Sequence, residues 1–193
     1  EDPNVVTNFL DNLQDKYGNE ADITITRGKI HDYLGMTLDF TKEGCCEVKM
    51  DDYVKKMLDE LPDDLQKGES PTPAANHLFT VNEDATSLGK EDSEMFHHIT
   101  AKLLFLSKRA RPDIQTTTAF LCTRVKSPSV DDYKKLRRCM QYLRGTTELH
   151  LTLEANELTV IKWWVDASYA VHKDMKSHTG GFMTLGKGAI YST

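Results

Sequence analysis

Three consecutive apolar stripes with helical spacing occupy residues 93–145, and they constrain the fold more than any other feature of the chain. Residues three and four positions apart share one face of a helix, so each stripe predicts an amphipathic helix with a buried side. Pro112-Asp113 and Ser127-Pro128-Ser129 separate the stripes, and Gly145 ends the last one. The positions expected to be buried are Phe96, Ile99, Leu103, Leu106 and Ala110, then Ile114, Thr117, Leu121 and Val125, then Tyr133, Leu136, Met140 and Leu143.

The same region is strongly basic inside an acidic chain. The whole sequence has a formal net charge of −6, yet residues 101–145 contain 11 basic and 3 acidic side chains. This local excess indicates a surface that binds phosphate groups, although a solvated helix face shows the same pattern. The candidate nucleic-acid contacts here are Lys102, Lys108, Arg109, Arg111, Lys134, Lys135, Arg137, Arg138 and Arg144.

The first 92 residues divide into an α+β part and a segment with little periodicity. The patterns predict a helix at 3–17, a strand at 22–27, a hairpin at 30–50 that turns at 42–44, and a helix at 51–61. The first helix is expected to bury Val6, Phe9, Leu10, Leu13 and Tyr17. Residues 62–92 are rich in Pro, Ser, Thr and acidic residues, which predicts a long linker or a segment that follows the surface.

The last part of the chain alternates between extended runs and turns. Leu149, Leu151 and Leu153 predict a short strand that leads into a meander of three strands at 160–165, 179–185 and 189–193. Because adjacent strand residues face opposite sides of a sheet, one of Trp163 and Trp164 should join the core and the other pack under a later helix.

Asp166 is the strongest candidate for a catalytic residue in the sequence. It follows the first strand of the meander, which we expect to be central in its sheet, and carboxylate oxygens are the ligands that Mg²⁺ prefers. Two-metal chemistry needs several converging carboxylates, and Asp174 is a distant second candidate. His172 and His178 flank Asp174, but loop histidines without fixed spacing favour polar surface over metal ligation. His97 and His98 diverge by about 100° on a helix and cannot share a metal.

Four motifs, taken in this order, resemble the Pol polyproteins of copia-type retrotransposons. The hairpin that touches the primer strand in that family is similar to residues 32–38, DYLGMTL. The family's thumb segment and the box that follows it are similar to residues 102–114, KLLFLSKRARPDI, and 142–146, YLRGT. The opening of its ribonuclease H domain is similar to residues 165–192, VDASYAVHKDMKSHTGGFMTLGKGAIYS.

The resemblance implies an α+β fold with four parts. These are the C-terminal part of a reverse transcriptase palm with its hairpin at 1–61, a linker at 62–92, a basic three-helix thumb at 93–145, and a connection with the first three antiparallel strands of a ribonuclease H-like sheet at 146–193.

The resemblance also implies a function for the longer protein. That function is RNA-directed DNA synthesis with Mg²⁺, together with hydrolysis of the RNA strand in RNA–DNA hybrids. Asp166 would be a catalytic metal ligand for the hydrolysis, and Tyr33, Gly35 and Met36 would position the primer. The implied partners are an RNA–DNA hybrid or template–primer duplex and the remainder of the Pol polyprotein.

One family feature is missing from the chain, the Asp-Asp turn that binds the polymerase metals. The pairs at 51–52 and 131–132 precede helical patterns and are interpreted as caps and dipole partners, while the pair at 63–64 lies in a Pro-bearing turn. The polymerase pair is expected just upstream of residue 1, and the further ribonuclease H carboxylates beyond residue 193. We therefore expect the chain alone to be inactive in both reactions.

Cysteine spacing and hydropathy bear on location. Cys45, Cys46, Cys122 and Cys139 show neither metal-binding nor disulfide spacing, which favours reduced thiols and an intracellular protein, in the cytoplasm or the nucleus. No apolar stretch approaches 18 residues, so no membrane span is predicted.

Two other interpretations stay open. The basic helices at 94–144 also resemble a helix-turn-helix arrangement, which would make the chain a non-catalytic nucleic-acid-binding module with a preference for one DNA sequence. The third interpretation is a degenerate copy of a transposable element without activity.

Overall fold

The computed structural model describes residues 2–21, 23–171 and 175–193, apart from the side chain of Pro3. Within these ranges the helices are α1 (Pro3–Tyr17), α2 (Asp51–Asp59), α3 (Lys90–Ser107), α4 (Gln115–Arg124) and α5 (Val130–Arg144), with a 3₁₀ turn at Pro112–Ile114. The strands are β1 (Ile30–Tyr33), β2 (Met36–Asp39), β3 (Cys45–Lys49), β4 (Leu151–Ala155), β5 (Lys162–Ser168), β6 (His178–Thr184), β7 (Gly186–Lys187) and β8 (Tyr191–Ser192). Helices and antiparallel sheets together give an α+β architecture.

Helices α3, α4 and α5 form where the three apolar stripes predict them. All five stripe residues of α3 and the turn after it are buried, and so are Ile114, Thr117 and Leu121 around α4. In α5, Leu136, Met140 and Leu143 are buried, while Tyr133 is only partly covered. Helix α3 begins at Lys90, three residues before the predicted start.

The helix starts differ from the predicted caps at both acidic pairs. Ser129, not Asp131, caps α5, because its hydroxyl accepts from Asp132 N and the Asp132 carboxylate accepts from Ser129 N at 2.9 Å. Helix α2 begins after Met50, which makes no side-chain capping bond, and Asp51 and Asp52 lie in its first turn. In the first turn their negative charges stabilise the helix by interacting with its dipole. The prediction that they are dipole partners therefore holds, and the prediction that they cap the helix does not.

The larger sheet joins distant parts of the chain. Its described strands follow the order β1-β2-β3-β4-β7 and all pair antiparallel. The predicted turn at 42–44 connects β2 to β3, and an additional two-residue turn at Leu34-Gly35 connects β1 to β2. Strand β4 pairs with β3, so that Leu153 lies opposite Cys46. Along the chain β4 precedes the C-terminal meander, as predicted, but it belongs to the larger sheet.

The smaller sheet is the predicted three-stranded meander, but its central strand is not the predicted one. Strands β5, β6 and β8 pair antiparallel with β6 in the middle, so β5 lies at an edge of the described sheet and not at its centre. Trp163 and Trp164 are both 57% exposed, which contradicts the prediction that one of them joins the core. Their rings contact Tyr191 and Phe182 across the strands, with centroids 6.2 and 5.9 Å apart.

One hydrophobic core connects β3, α2 and the three central helices. It includes Val48, Val54, Phe96, Leu103 and Leu136. Between α2 and α3, residues 60–89 form no helix and no multi-residue strand, yet Leu65 and Leu78 are buried in the same core. This segment therefore follows the surface of the helices and does not act as a free linker.

Two predictions for the N-terminal region are wrong. Helix α1 forms as expected, but Val6, Phe9 and Tyr17 on its apolar stripe are 49%, 61% and 45% exposed because no described element covers them. Residues 23–27 form no strand, and residue 22 lies outside the described part. None of the described helices is long and apolar enough to cross a membrane.

Candidate nucleic-acid interface

The tip of the β1–β2 hairpin points into solvent. Tyr33 and Leu34 are 58% and 60% exposed, and Gly35 is exposed as well. The turn needs positive φ at both central residues, 51° at Leu34 and 79° at Gly35, which matches the backbone twist of a tight hairpin. Met36 was predicted to contact nucleic acid, but it packs against the core. The hairpin therefore offers Tyr33 and the turn as contacts.

Phe105 of α3 lies near this hairpin and contacts Arg109, which follows the end of the helix. The guanidinium carbon of Arg109 is 3.6 Å from the centroid of the Phe105 ring, which is a cation–π contact. A Cβ added at Gly35 would lie 3.9 Å from the same ring. We call Tyr33, Leu34, Gly35, Phe105 and Arg109 the hairpin–α3 surface. It combines exposed aromatic and backbone groups with one fixed positive charge.

Lys102 lies one turn before Phe105 and forms an ion pair with Glu60, with Nζ and Oε2 2.5 Å apart. The hydrogen bond from Lys102 lowers the pKa of Glu60. Both side chains are more than a third exposed, and exposed ion pairs contribute little to stability. A phosphate group can therefore compete with Glu60 for Lys102.

Lys108 connects the helices to the smaller sheet. Its side chain is exposed, and its Nζ donates to the main-chain oxygen of Ser192 at 3.1 Å. The Ser192 hydroxyl in turn donates to the Gln115 side chain. Lys108 and Asp166 both line a cleft of about 740 Å³ between α3, α4 and the β5–β6 sheet. The structure thus brings one predicted phosphate contact and the predicted metal ligand to the same cleft.

Asp166 does not form a metal centre with the residues described around it. It is exposed on β5, and its carboxylate accepts a hydrogen bond from Ala167 N at 2.9 Å. The described residues contain no group of three or more His, Cys, Asp or Glu side chains that could hold a metal ion. His172 and Asp174 lie outside the described part, and the ring of His178 packs against Phe79, with centroids 5.0 Å apart. The described residues therefore do not fit a complete Mg²⁺ site.

Arg111 was predicted to contact nucleic acid, and the structure contradicts this because only 2% of the residue is exposed. Its guanidinium donates to the Asp113 carboxylate at 2.8 Å and to the main-chain oxygen and hydroxyl of Thr146 at 2.8 and 2.7 Å. Tyr142 also donates to Asp113 at 2.8 Å. Arg111 therefore fixes the end of α5 to the start of α4.

Three basic residues of α5 were predicted to turn outward, but they contact the 60–89 segment. Lys135 donates to the main-chain oxygen of Thr80 at 2.5 Å, Arg138 to the Thr72 hydroxyl at 2.9 Å, and Arg144 to the main-chain oxygen of Leu65 at 3.3 Å. Residues 62–92 carry 7 acidic and 2 basic side chains, so an acidic segment covers part of the basic helix. Only part of the positive charge counted in the sequence is available to a large ligand.

The 60–89 segment leaves Lys134 and Arg137 exposed on α5. Arg137 is exposed, and the Lys134 side chain is 70% exposed while it pairs with Asp131 at 2.8 Å. Sequence reasoning missed Phe105 as a partner of Arg109. The signal was available, because the two residues are four positions apart and therefore neighbours on one helix face.

Comparison with known proteins shows that the chain is similar to a protein described as a putative transposon protein. It is 26% identical over 163 residues to a Saccharomyces cerevisiae protein described as "Putative transposon Ty5-1 protein YCL074W", with 84% of this chain and 52% of that protein covered.

A second relative comes from a plant. The chain is 23% identical over 159 residues to the uncharacterized mitochondrial protein AtMg00810 of Arabidopsis thaliana, with 82% of this chain and 63% of that protein covered. The chain thus spans about half to three fifths of the length of these relatives. No family model matches the chain. No solved structure matches it either.

Proposed function

We propose that the chain is the template–primer-binding part of a retrotransposon-encoded reverse transcriptase with an attached ribonuclease H. The proposed parts are the end of the palm, the thumb and the first strands of the ribonuclease H-like sheet. The similarity to a transposon protein over 163 residues supports the class, and the order of the sequence motifs supports the parts.

The observation that carries the proposal is the hairpin–α3 surface. Its tight turn at Gly35, next to the exposed Tyr33, lies near Phe105, and Phe105 in turn contacts Arg109. Lys102 and Lys108 precede Arg109 in the same helical region, so three cations lie within eight residues. Such a surface holds a duplex by its phosphate backbone and by shape, and it does not read the base sequence.

Binding should be measured by fluorescence anisotropy with an RNA–DNA hybrid, a DNA duplex and a single-stranded RNA. We expect the hybrid to bind best, with little dependence on its sequence and a steep loss of affinity as salt rises from 50 to 200 mM, roughly in proportion to the phosphates contacted. A preference for one DNA sequence would contradict the proposal and support the helix-turn-helix alternative.

A double variant tests the surface itself. Lys108→Gln with Arg109→Gln removes two cations from exposed or half-exposed positions, and we expect hybrid affinity to fall by at least about tenfold at low salt. The control is Lys126→Gln, which removes one exposed cation from the loop between α4 and α5. Equal losses of binding free energy per cation removed in the variant and the control would indicate a diffuse charge effect and no defined surface.

In a longer protein that supplies the remaining carboxylates, Asp166 would be one ligand of the ribonuclease H metal site, and a bound Mg²⁺ would supply Lewis-acid chemistry there. Because the described residues around Asp166 do not complete such a site, we expect no Mg²⁺-dependent cleavage of an RNA–DNA hybrid by the chain alone. Cleavage that disappears in Asp166→Asn would overturn this expectation.

A further inference from the structure

A second pocket lies apart from the hairpin–α3 surface and the Asp166 cleft. It opens between the N-terminal half of α5 and residues 74–82 of the segment that covers this helix, and its volume is about 470 Å³. None of its lining residues lines the Asp166 cleft. The volume of about 470 Å³ is within the roughly 300–1,000 Å³ typical of small-molecule sites.

Three cations of α5, Lys134, Lys135 and Arg138, line this pocket. Arg138 lies four residues after Lys134 and three after Lys135, and both spacings bring side chains close on a helix. Asp131 also lines it and forms an ion pair with Lys134 at 2.8 Å. Among the described residues, neither Lys135 nor Arg138 forms an ion pair with a carboxylate. The carboxylates of Asp131 and Asp132 act on Lys135 at longer range, so a ligand phosphate would meet two cations that no direct ion pair occupies.

The structure holds both cations in fixed positions. The Lys135 ammonium lies 4.2 Å from the centroid of the Phe120 ring and donates to the main-chain oxygen of Thr80. Arg138 is held by the Thr72 hydroxyl, which accepts from one of its terminal nitrogens. Neutral oxygens orient the two cations without cancelling their charge. Burial lowers the pKa of Lys135, so an anion beside it would favour the charged form.

The remaining walls of the pocket suit the non-phosphate part of a nucleotide. Ala74, Ala75 and Leu78 form an apolar side, and His77 and Gln141 add polar groups. A phosphate bound at Lys135 and Arg138 would leave this mixed wall for a sugar or a base. A duplex is a poor match, because the 60–89 segment covers this face of α5 and encloses the cations in a recess.

We propose that the pocket between α5 and residues 74–82 binds a phosphate monoester of mononucleotide size, with Lys135 and Arg138 holding the phosphate and Asp131 opposing it. This inference does not rest on duplex binding, since none of the pocket residues belongs to the hairpin–α3 surface.

The test is isothermal titration of the full 193-residue chain at low ionic strength with AMP, inorganic phosphate and adenosine. We expect AMP to bind more tightly than phosphate, and adenosine to show no measurable binding, because the phosphate supplies the anchor. Equal affinities for AMP and phosphate would overturn the nucleotide assignment and leave a site for free phosphate. Absence of binding for both anions would overturn the proposal altogether.

Two variants assign the binding to this pocket. Arg138→Gln should weaken AMP binding by at least about tenfold, since it removes a charge-assisted hydrogen bond to phosphate. Asp131→Asn should tighten it by about threefold or more, because it removes the negative charge that lines the pocket. Lys126→Gln should change AMP affinity by less than about twofold, since an exposed charge away from the pocket is screened by solvent.

The Asp131→Asn result decides the question even if Arg138→Gln unfolds, because a damaged protein does not bind a ligand more tightly. Unchanged or weaker AMP binding in a folded Asp131→Asn protein would overturn the placement of the phosphate. The double variant Lys108→Gln with Arg109→Gln should keep AMP binding intact. Failure of the duplex proposal and failure of the pocket proposal are therefore distinguishable.

Discussion

At the residue scale, the contacts around Arg111 give two of the sequence motifs a structural role. Arg111 and Asp113 come from the 102–114 motif, and Tyr142 and Thr146 come from the 142–146 motif. These four side chains form one hydrogen-bonded group that joins the start of α4 to the end of α5. A charged residue inside a binding motif therefore need not contact the ligand.

Replacing Arg111 tests this role. Arg111→Met should lower the free energy of unfolding by about 3 kcal/mol, because it leaves Asp113 and the Thr146 oxygen without their buried partner. Urea unfolding measures the change, and the exposed Arg137→Met should stay within about 0.5 kcal/mol of the parent chain. A small effect at Arg111 with a large loss of duplex binding would mean that Arg111 contacts nucleic acid after all.

A second residue-scale prediction concerns pH. The hydrogen bond from Lys49 Nζ at 2.6 Å, helped by two from Thr41, holds the pKa of Asp39 well below its ordinary value of 3.8. A depressed carboxyl pKa contributes stability that is present above pH 3.8 and is lost as the pH falls below it. Asp39→Asn should therefore flatten the acid side of the stability curve.

Urea midpoints measured between pH 5 and pH 2.5 check the Asp39 prediction, and the exposed Asp11→Asn is the control. The same contact raises the pKa of Lys49, so that its contribution is lost only as the pH rises above 10.5. If Asp39→Asn and the parent chain lose stability in parallel on acidification, the Asp39–Lys49 pair is not the cause.

At the element scale, helices α1 and α5 are both amphipathic, but only α5 buries its apolar face. Helix α5 buries its apolar face in the core and uses several polar residues to hold the 60–89 segment. Helix α1 has an equally regular apolar stripe, which stays exposed to solvent in the described structure. A stripe predicts a helix, but only a partner surface turns it into a stabilising one.

Removal of α1 should leave the rest of the fold intact. We expect deletion of residues 1–21 to change the melting temperature by less than about 2 °C, because little apolar surface would be uncovered. Differential scanning calorimetry measures this. A drop of 10 °C or more would show that α1 packs on the body in solution.

The covering segment can be tested through Tyr133. This residue donates a hydrogen bond to Asp64 at 2.8 Å, and partial burial together with this bond raises the pKa of its phenol. Tyr133→Phe should cost about 1 kcal/mol and speed proteolytic cleavage within 60–89. Tyr169→Phe is the matched control because Tyr169 is 86% exposed. Equal cleavage rates in both variants would show that the Tyr133–Asp64 bond does not hold the segment.

At the scale of the whole molecule, one core connects regions that the sequence divides into separate parts. Strand β3 and helix α2 from the first 61 residues pack in the same cluster as α3, α4 and α5, and β4 returns after α5 to pair with β3. The smaller sheet contacts this body through Lys108, Ser192 and the His178–Phe79 ring pair.

A shared core predicts cooperative unfolding. Phe96 is completely buried at the centre of the cluster, so Phe96→Ala should cost about 3–5 kcal/mol. The helices and the larger sheet, from β1 to β4, should be lost in the same transition. Circular dichroism and hydrogen exchange together can follow both losses. Separate transitions for the helices and the larger sheet would mean that they fold as independent units.

The sequence by itself determined the local elements. The spacing of Phe96, Ile99 and Leu103 predicted a buried helix face, and the β-branched and aromatic run before Asp166 predicted a strand, because both signals are properties of a few consecutive residues. The charge count of residues 101–145 was equally visible, and so was the resemblance that motivates the proposed function.

Only the tertiary structure decided which partners those elements and charges have. The oxygens that accept from Lys135, Arg138 and Arg144 lie 55, 66 and 79 residues earlier in the chain, and β4 pairs with a strand more than 100 residues away. No local pattern records such distant neighbours. Whether a lysine meets a phosphate, a carbonyl or water depends on how the elements pack, because hydrogen bonds and desolvation act over a few ångströms of space and not along the sequence.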